Sequence, residues 1–260
     1  MYLTWLDNNS WLVEIGSKRV LIDPWLVDEL VFANLDWLFK ASHPTQRAIP
    51  ENIDLIILSQ GWEDHAHPPT LKVLDHNIPV VASPNAAKVV QGLGYTNVTA
   101  LTHWENLTFH QNLQIQATPG SLVGATLVEN GYLIKDLETG LSIYYEPHGT
   151  HPPSLKEVAP VDVVITPLID LALPLVGSLI KGGKSALKLA QILQPQVMLP
   201  TAAGGEVVYE GFINKLLQSI GSIEEFRTLL AENNLSTEVI EPRPGDRIEL
   251  KLQPKVTCVA

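Results

Sequence analysis

Apolar residues in the first 25 positions fall into three short runs, 2–6, 10–15 and 19–23, parted by Asp7-Asn8-Asn9 and Gly16-Ser17-Lys18. Asn and Gly accept positive φ, and strands joined so tightly must run antiparallel, so the chain is predicted to open on hairpins. Residues 26–50 carry large apolar side chains at partly helical spacing, with Leu30, Trp37 and Leu38 toward one face. Such a segment packs over the domain or lines an apolar mouth, and packing is the expectation. His43-Pro44-Thr45 breaks it before a strand at 53–58. Beyond, Pro68-Pro69 suits the first turn of a helix, followed by a strand at 79–82 and a helix over 85–92. Strands are predicted at 98–101, 107–109, 113–117, 125–135, 141–145 and 161–166. A helix over 185–193, a strand at 197–199, a helix over 223–233 and a strand at 237–241 complete the series. Hairpin-linked strands first and strand–helix alternation later predict an α+β fold, with mixed sheets covered by helices. No short internal repeat or low-complexity linker divides the chain, so one domain over 1–260 is expected.

Composition narrows the class of ligand. At 45% hydrophobic and 17% charged, the chain has a large interior under a lightly charged surface. The net charge of −11, without a Lys/Arg cluster, argues against nucleic acid and against electrostatic attachment to anionic lipid. Cys258 is the one cysteine, which leaves no internal disulfide and no cysteine metal site. The N-terminus lacks the basic-then-apolar pattern of a leader. The apolar stretch 168–176 is interrupted by Asp170 and Pro174, too short and broken to span a bilayer. A cytoplasmic protein without a transmembrane segment is expected, acting on a small-molecule substrate or ligand. The 168–176 stretch is read as core or lid packing, with a dimer surface, and so a homo-oligomer, as the other use of it. A lid would favour an apolar ligand.

The chemistry gathers at Ile56-Ile57-Leu58-Ser59-Gln60-Gly61-Trp62-Glu63-Asp64-His65-Ala66-His67, where an apolar strand ends in a polar, ionisable turn. A buried strand that delivers carboxylate and imidazole at its C-terminal end places reactive groups at a sheet edge. A second polar turn, Glu146-Pro147-His148-Gly149-Thr150-His151, follows the strand at 141–145. Asp23, before Pro24, is ordinary turn chemistry on the residues alone. A Ser-His-Asp arrangement of Ser59 or Ser121 with His65 and Asp64 is disfavoured, because adjacent Asp and His do not readily orient one another. Gly177 to Ser185 nearly matches a phosphate-binding loop, but the first glycine is one residue too far from Gly-Lys-Ser, so a turn into the following helix is expected.

The 59–65 segment resembles the metallo-β-lactamase superfamily, whose pattern His-x-His-x-Asp-His follows a strand and builds a binuclear metal site. Asp64 and His65 stand, while Gln60 and Trp62 occupy the places of the two leading histidines. The opening hairpin Trp11–Gly16 and Val20–Pro24 resembles the ascorbate-phosphate lactonase-like branch, which puts the aspartate matching Asp23 behind the metal as support. By the same resemblance Ser121 replaces a metal histidine, Glu146 or His148 takes the place of the bridging aspartate, and Thr201 or Ala202 replaces the last histidine. Ile240 to Gly245 looks like the branch's closing strand and turn. The resemblance implies a four-layer αββα sandwich and hydrolysis of an ester, lactone, amide or phosphodiester by metal-activated water. It leaves at most one zinc or manganese ion, or none, held by Asp64, His65 and His148 or Glu146, with His67 as an extra imidazole. The alternative is an inactive member of the fold that binds a small or lipid-like molecule. In it Gln60 and Trp62 fill the vacated space, the indole by bulk and the amide by hydrogen bonding.

Overall fold

The three opening apolar runs are the strands Tyr2–Trp5, Trp11–Ile15 and Lys18–Ile22, paired antiparallel in succession. The computed structural model describes residues 1–123 and 127–253. Cys258 lies outside the described residues, as do positions 125 and 126 of the strand expected over 125–135. The strand that carries the site, Leu55–Leu58, joins Lys18–Ile22 in parallel, and Val80–Ala82 and Val98–Ala100 continue in the same sense. With Arg247–Glu249 on the far edge, this makes a seven-stranded sheet. A second seven-stranded sheet runs antiparallel from Asn106–Phe109 through Leu113–Val123 and Leu127–Asp136 to Ser142–Tyr145. It then turns parallel through Val163–Ile165, Val197–Leu199 and Glu238–Val239.

Alternation sorts the side chains between layers. Val13, Ile22, Ile57, Ile134, Tyr145 and Ile165 meet between the sheets. On the outer face of the first sheet, Leu21, Ile56 and Leu58 pack against Leu71, Ala86 and Val90 of the helices Pro68–Val73 and Pro84–Gly92. On the outer face of the second, Tyr144, Val164 and Met198 pack against the helices Gly183–Leu193 and Ile223–Glu232. The result is the α+β, four-layer αββα sandwich. Among the described residues no helix is long and apolar enough to cross a membrane.

One segment differs from expectation, and a second divides between its expected uses. Residues 26–50 are not helical: Leu30–Val31 and Lys40–Ser42 pair with each other, and Val208–Glu210 adds to them. Asp28, Ala33 and Asn34 take positive φ, which no helix continues through, and Trp37 is exposed rather than packed. The 168–176 stretch is a hairpin of Asp170–Leu173 with Gly177–Ile180, joined by Gln218–Ile220, and its tip residue Leu175 is fully exposed. Leu168 packs in the core, and the hairpin beyond it is a cover, so the stretch serves both of the expected uses. Of the run Gly177 to Ser185, Gly177–Ile180 is the second strand of that hairpin, and Gly183-Lys184-Ser185 is the first turn of the following helix.

His43 lies against Trp25, ring centroids 4.0 Å apart, and burial lowers its pKa to about 4. A group protonated near pH 6.5 in the unfolded chain but only near 4 in the folded one leaves the unfolded state with more bound protons between those values. Stability is therefore full above pH 6.5 and falls as pH drops toward 4. The slope from this ring is under about 1.4 kcal/mol per pH unit, reduced by its partial exposure. Urea unfolding at pH 7 and pH 5 should show a smaller loss for His43→Phe, which keeps the stack on Trp25. An equal loss in both proteins would remove His43 as the cause.

Candidate metal centre

Ser59 ends the strand Leu55–Leu58, and the chain then winds tightly: the His65 and Ala66 amides both donate to the Trp62 carbonyl, at 3.0 and 2.8 Å. That winding lets two adjacent side chains meet. His65 Nε2 stands 3.0 Å from Asp64 Oδ2. On the far side of the ring, Nδ1 is 2.7 Å from Asp23 Oδ2, and because a carboxylate only accepts, Nδ1 carries the proton. Asp23 is fully buried and also accepts from the Ser59 amide and the Tyr145 hydroxyl, each at 2.7 Å.

A second imidazole is built the same way. His148 Nδ1 lies 2.8 Å from both oxygens of buried Glu129, and the two histidine rings are 5.0 Å apart. Each ring has its Nδ1 committed to a buried carboxylate, which orients it, and His65 Nε2 lies 3.0 Å from Asp64 Oδ2 and 3.4 Å from the Asn9 side-chain nitrogen. Gly120 makes the close approach of Glu129 feasible, since a Cβ there would stand 2.7 Å from the glutamate Cγ. Behind the pair, Glu146 accepts from the Gly149 and Thr150 amides and from the Ser121 hydroxyl at 3.2 Å. Gly149 has φ +80°, and any Cβ on it would strike the Lys181 carbonyl. The Lys181 amide in turn donates to the His148 carbonyl at 2.9 Å, tying the cover hairpin to the site.

The charges are arranged around these rings. Burial opposes a charge on His65, but the Asp64 and Asp23 carboxylates outweigh it and push the pKa well above the ordinary value. Burial also works to raise Asp64 and Glu129, yet the facing imidazoles hold both lower than usual. Glu146 goes the other way: burial, then the neighbouring Glu129 carboxylate, raise it well above the carboxylate range. The surroundings of Glu129 and Glu146 therefore push the two carboxyls in opposite directions.

The donor set fits a divalent cation. One ligand atom each from Asp64, His65 and His148 lies within 4.8 Å of the others, and a second such group is Glu129, Glu146 and His148. Asp64 Oδ1, Gln60 Oε1 and Asn9 Oδ1 are buried without a hydrogen-bond partner. A buried acceptor left unpaired costs about 1–3 kcal/mol, so oxygens of this kind beside two oriented imidazoles call for a positive partner. Nitrogen and oxygen donors in this mixture suit zinc or manganese.

Other expected residues are placed elsewhere. His67 does not join the cluster. It is the N-cap of Pro68–Val73, its Nδ1 accepting from the Thr70 amide at 3.4 Å and its Nε2 3.4 Å from the Glu29 carbonyl. Burial lowers its pKa to about 4, as suits a neutral capping ring. Trp62 does not plug the site: it is 49% exposed at the rim, edge-on to Phe32 at 5.9 Å. The Gln60 amide does not close the gap by hydrogen bonding through its oxygen, which has no partner. Thr201 turns into the core, donating to the Asn8 carbonyl at 3.0 Å and accepting from Trp11 Nε1 at 3.2 Å. Asp64 and His65 do meet, contrary to the argument from adjacency, but Ser59 lies behind the ring beside Asp23, fully buried and out of substrate's reach. Glu129, Asn9 and Tyr145 were not anticipated. The one sequence signal for them is a glutamate inside the otherwise apolar run that ends in Tyr132-Leu133-Ile134.

In front of the cluster is a cavity of about 580 Å³. Asn9, Gln60, Asp64, Ser121 and His148 form its polar end, and no Lys or Arg is among the described residues that line it.

A model of the β-lactamase superfamily domain matches residues 2–202. Over 262 residues the chain is 24% identical to a UPF0173 metal-dependent hydrolase of Methanopyrus kandleri, spanning 96% of this chain and 100% of that one. Among solved structures, an isothiocyanate hydrolase from Delia radicum gut bacteria superposes with a TM-score of 0.70 at 16% identity, over 96% of this chain and 99% of that one. A metallo hydrolase from the archaeon Ignicoccus hospitalis gives 0.68 at 17% identity, with the same 96% and 99% coverage. Those two likenesses concern the fold.

Proposed function

The chain belongs to the β-lactamase superfamily domain family, and on that premise we propose that it is a metal-dependent hydrolase of a neutral carboxylic ester or lactone. The observation that carries the reading is the pair of oriented imidazoles facing Asp64, with unpartnered buried oxygens beside them. Asp64, His65 and His148 would hold one ion. The alternative donor group is already occupied internally, Glu146 by two backbone amides and Glu129 by His148 and the Ser121 amide. A divalent cation at this position supplies Lewis acidity and water activation.

The chain's own residues do the rest. Asp23 and Glu129 keep the Nδ1 protons of His65 and His148 in place, so that both Nε2 atoms stay directed at the site. Gln60 and Asn9 present amides at the polar end, where a substrate carbonyl or leaving oxygen would seek a hydrogen bond. Apolar walls exclude bulk water and strengthen each of these contacts. The lining without Lys or Arg, on a chain of net charge −11, supports a neutral ester or lactone over a phosphodiester.

Metal content tests this. Protein purified without chelator or metal-affinity tag, then dialysed with and without added zinc or manganese, should hold about one ion per chain and hydrolyse phenyl acetate or a simple lactone faster than bis(4-nitrophenyl) phosphate. No retained ion under any condition would defeat the hydrolase reading and leave a ligand-binding role for the cavity.

A further inference from the structure

We propose that the ester this site cleaves carries an unbranched aliphatic acyl chain of medium to long length, held in the apolar arm of the cavity. The inference rests on the hydrolase reading and names its substrate class. The cavity is mostly apolar away from the metal-binding end: its polar lining is densest at Asn9, Gln60, Asp64, Ser121 and His148, and elsewhere Tyr209, Asn214 and Ser219 interrupt hydrocarbon walls among the described residues. Those walls come from Phe32 and Phe39, in the connection between the strands Leu30–Val31 and Lys40–Ser42, and from Leu171 and Leu179 of the cover hairpin, closed by Ile213 and Leu217. Such a slot, with its ionisable groups at one end and a largely apolar remainder, matches a molecule with one reactive head and one apolar tail.

The size agrees. A methylene takes roughly the room of a water, about 30 Å³, so the 580 Å³ cavity holds a chain on the order of a dozen carbons beside its ester group. Apolar surface continues outward from the slot, where Leu175, Val176, Ile220, Phe212 and Leu216 are all exposed around the cover. Exposed apolar side chains so concentrated mark a site of apolar contact. They account for the exposed part of the hydrophobic stretch at 168–176, whose first residue, Leu168, belongs to the core while Leu175 and Val176 do not. In the reaction, water adds its oxygen to the acyl carbon and the bond from that carbon to the alkoxy oxygen breaks. The alkoxy oxygen takes a proton, so a fatty acid and an alcohol leave.

Two measurements on metal-loaded, full-length protein separate this inference from the one beneath it. The first is kcat/KM for 4-nitrophenyl esters from acetate to dodecanoate, below micelle formation. The second is displacement of bound 1-anilinonaphthalene-8-sulfonate by hexanol, octanol and decanol, which needs no turnover. Each added methylene should raise kcat/KM and tighten displacement roughly three- to fourfold until the slot is full. Leu179→Asp, a substitution at a half-exposed wall position, should flatten both series. A flat displacement series overturns the inference, as does flat kcat/KM among esters that are turned over. Steep displacement with no turnover of any ester keeps the apolar-chain site and removes the hydrolase reading.

Discussion

Replacing Asp23 with alanine is expected to cost about 3–5 kcal/mol of folding stability, the largest loss we anticipate for any single side chain at the site. Asp23 is fully buried and receives three hydrogen bonds at 2.7 Å, from the Ser59 amide, His65 Nδ1 and the Tyr145 hydroxyl. The Ser59 amide terminates the metal-site strand and the Tyr145 hydroxyl comes from the opposite sheet, so one carboxylate ties the two sheets together at their shared edge. Removing it takes the acceptor from these three donors and from the Ser59 hydroxyl, a fourth donor at 2.5 Å, and leaves His65 without a counter-charge on that side. For a chain this long, the loss corresponds to a fall in Tm on the order of 10 °C. Asp23→Asn keeps the volume and one acceptor, so it should cost less. It presents an amide to His65 Nδ1, however, and should weaken metal binding about 10- to 100-fold. Urea unfolding in EDTA reads the first effect, and zinc competition with a chelator reads the second. A loss under about 1 kcal/mol for Asp23→Ala would show that the inter-sheet tie is not made.

The framework of the fold was readable because its strands obey simple rules. The 2–6, 10–15 and 19–23 runs alternate and are parted by residues that accept positive φ, so their pairing left little choice. The helices over 84–92, 183–193 and 223–232 each set a narrow apolar stripe against one face of a sheet, and that stripe fixed their positions to within two residues. Pattern reasoning failed at 26–50 and left core and lid undivided at 168–176, for one physical reason. Side chains there, such as Phe32, Phe39, Leu171 and Leu179, turn toward a cavity rather than a packed layer, so their spacing follows the cavity wall and no regular period.

The site was legible to a different depth. Asp64, His65 and His148 stood out through a resemblance, and the structure brings those three together. Glu129 escaped because a lone glutamate in a strand has no motif spacing; its role appears only when the turn after Tyr145 places His148 against it. Trp62 was misjudged because its position depends on Phe32, thirty residues earlier, which draws the indole to the rim. His67 looked like a third imidazole of the cluster, but the Pro-Pro that follows it makes it a helix cap instead.

Asp64→Ala should weigh the two effects differently from Asp23→Ala: complete loss of the bound ion and of turnover, with a smaller loss of stability in the metal-free protein. Asp64 has one oxygen 3.0 Å from His65 Nε2 and the other buried with no partner, and its side chain remains 17% exposed. A partly exposed carboxylate with one oxygen paired to buried His65 contributes less to folding than Asp23, and its removal should cost about 1–3 kcal/mol in EDTA. The donor set, by contrast, loses its only carboxylate from the group with His65 and His148, and two imidazoles alone are fewer than the three protein ligands a catalytic zinc site uses. Stoichiometric metal after dialysis should disappear, and kcat/KM for any ester cleaved by the parent should fall roughly 10³-fold or more. Metal analysis and unfolding on the same preparations separate the two roles. If Asp64→Ala retains the ion unchanged, the ligands are wrongly assigned, and Glu129, Glu146 and His148 become the group to test next. If it unfolds as readily as Asp23→Ala, Asp64 serves the fold and the division of labour between the two aspartates does not exist.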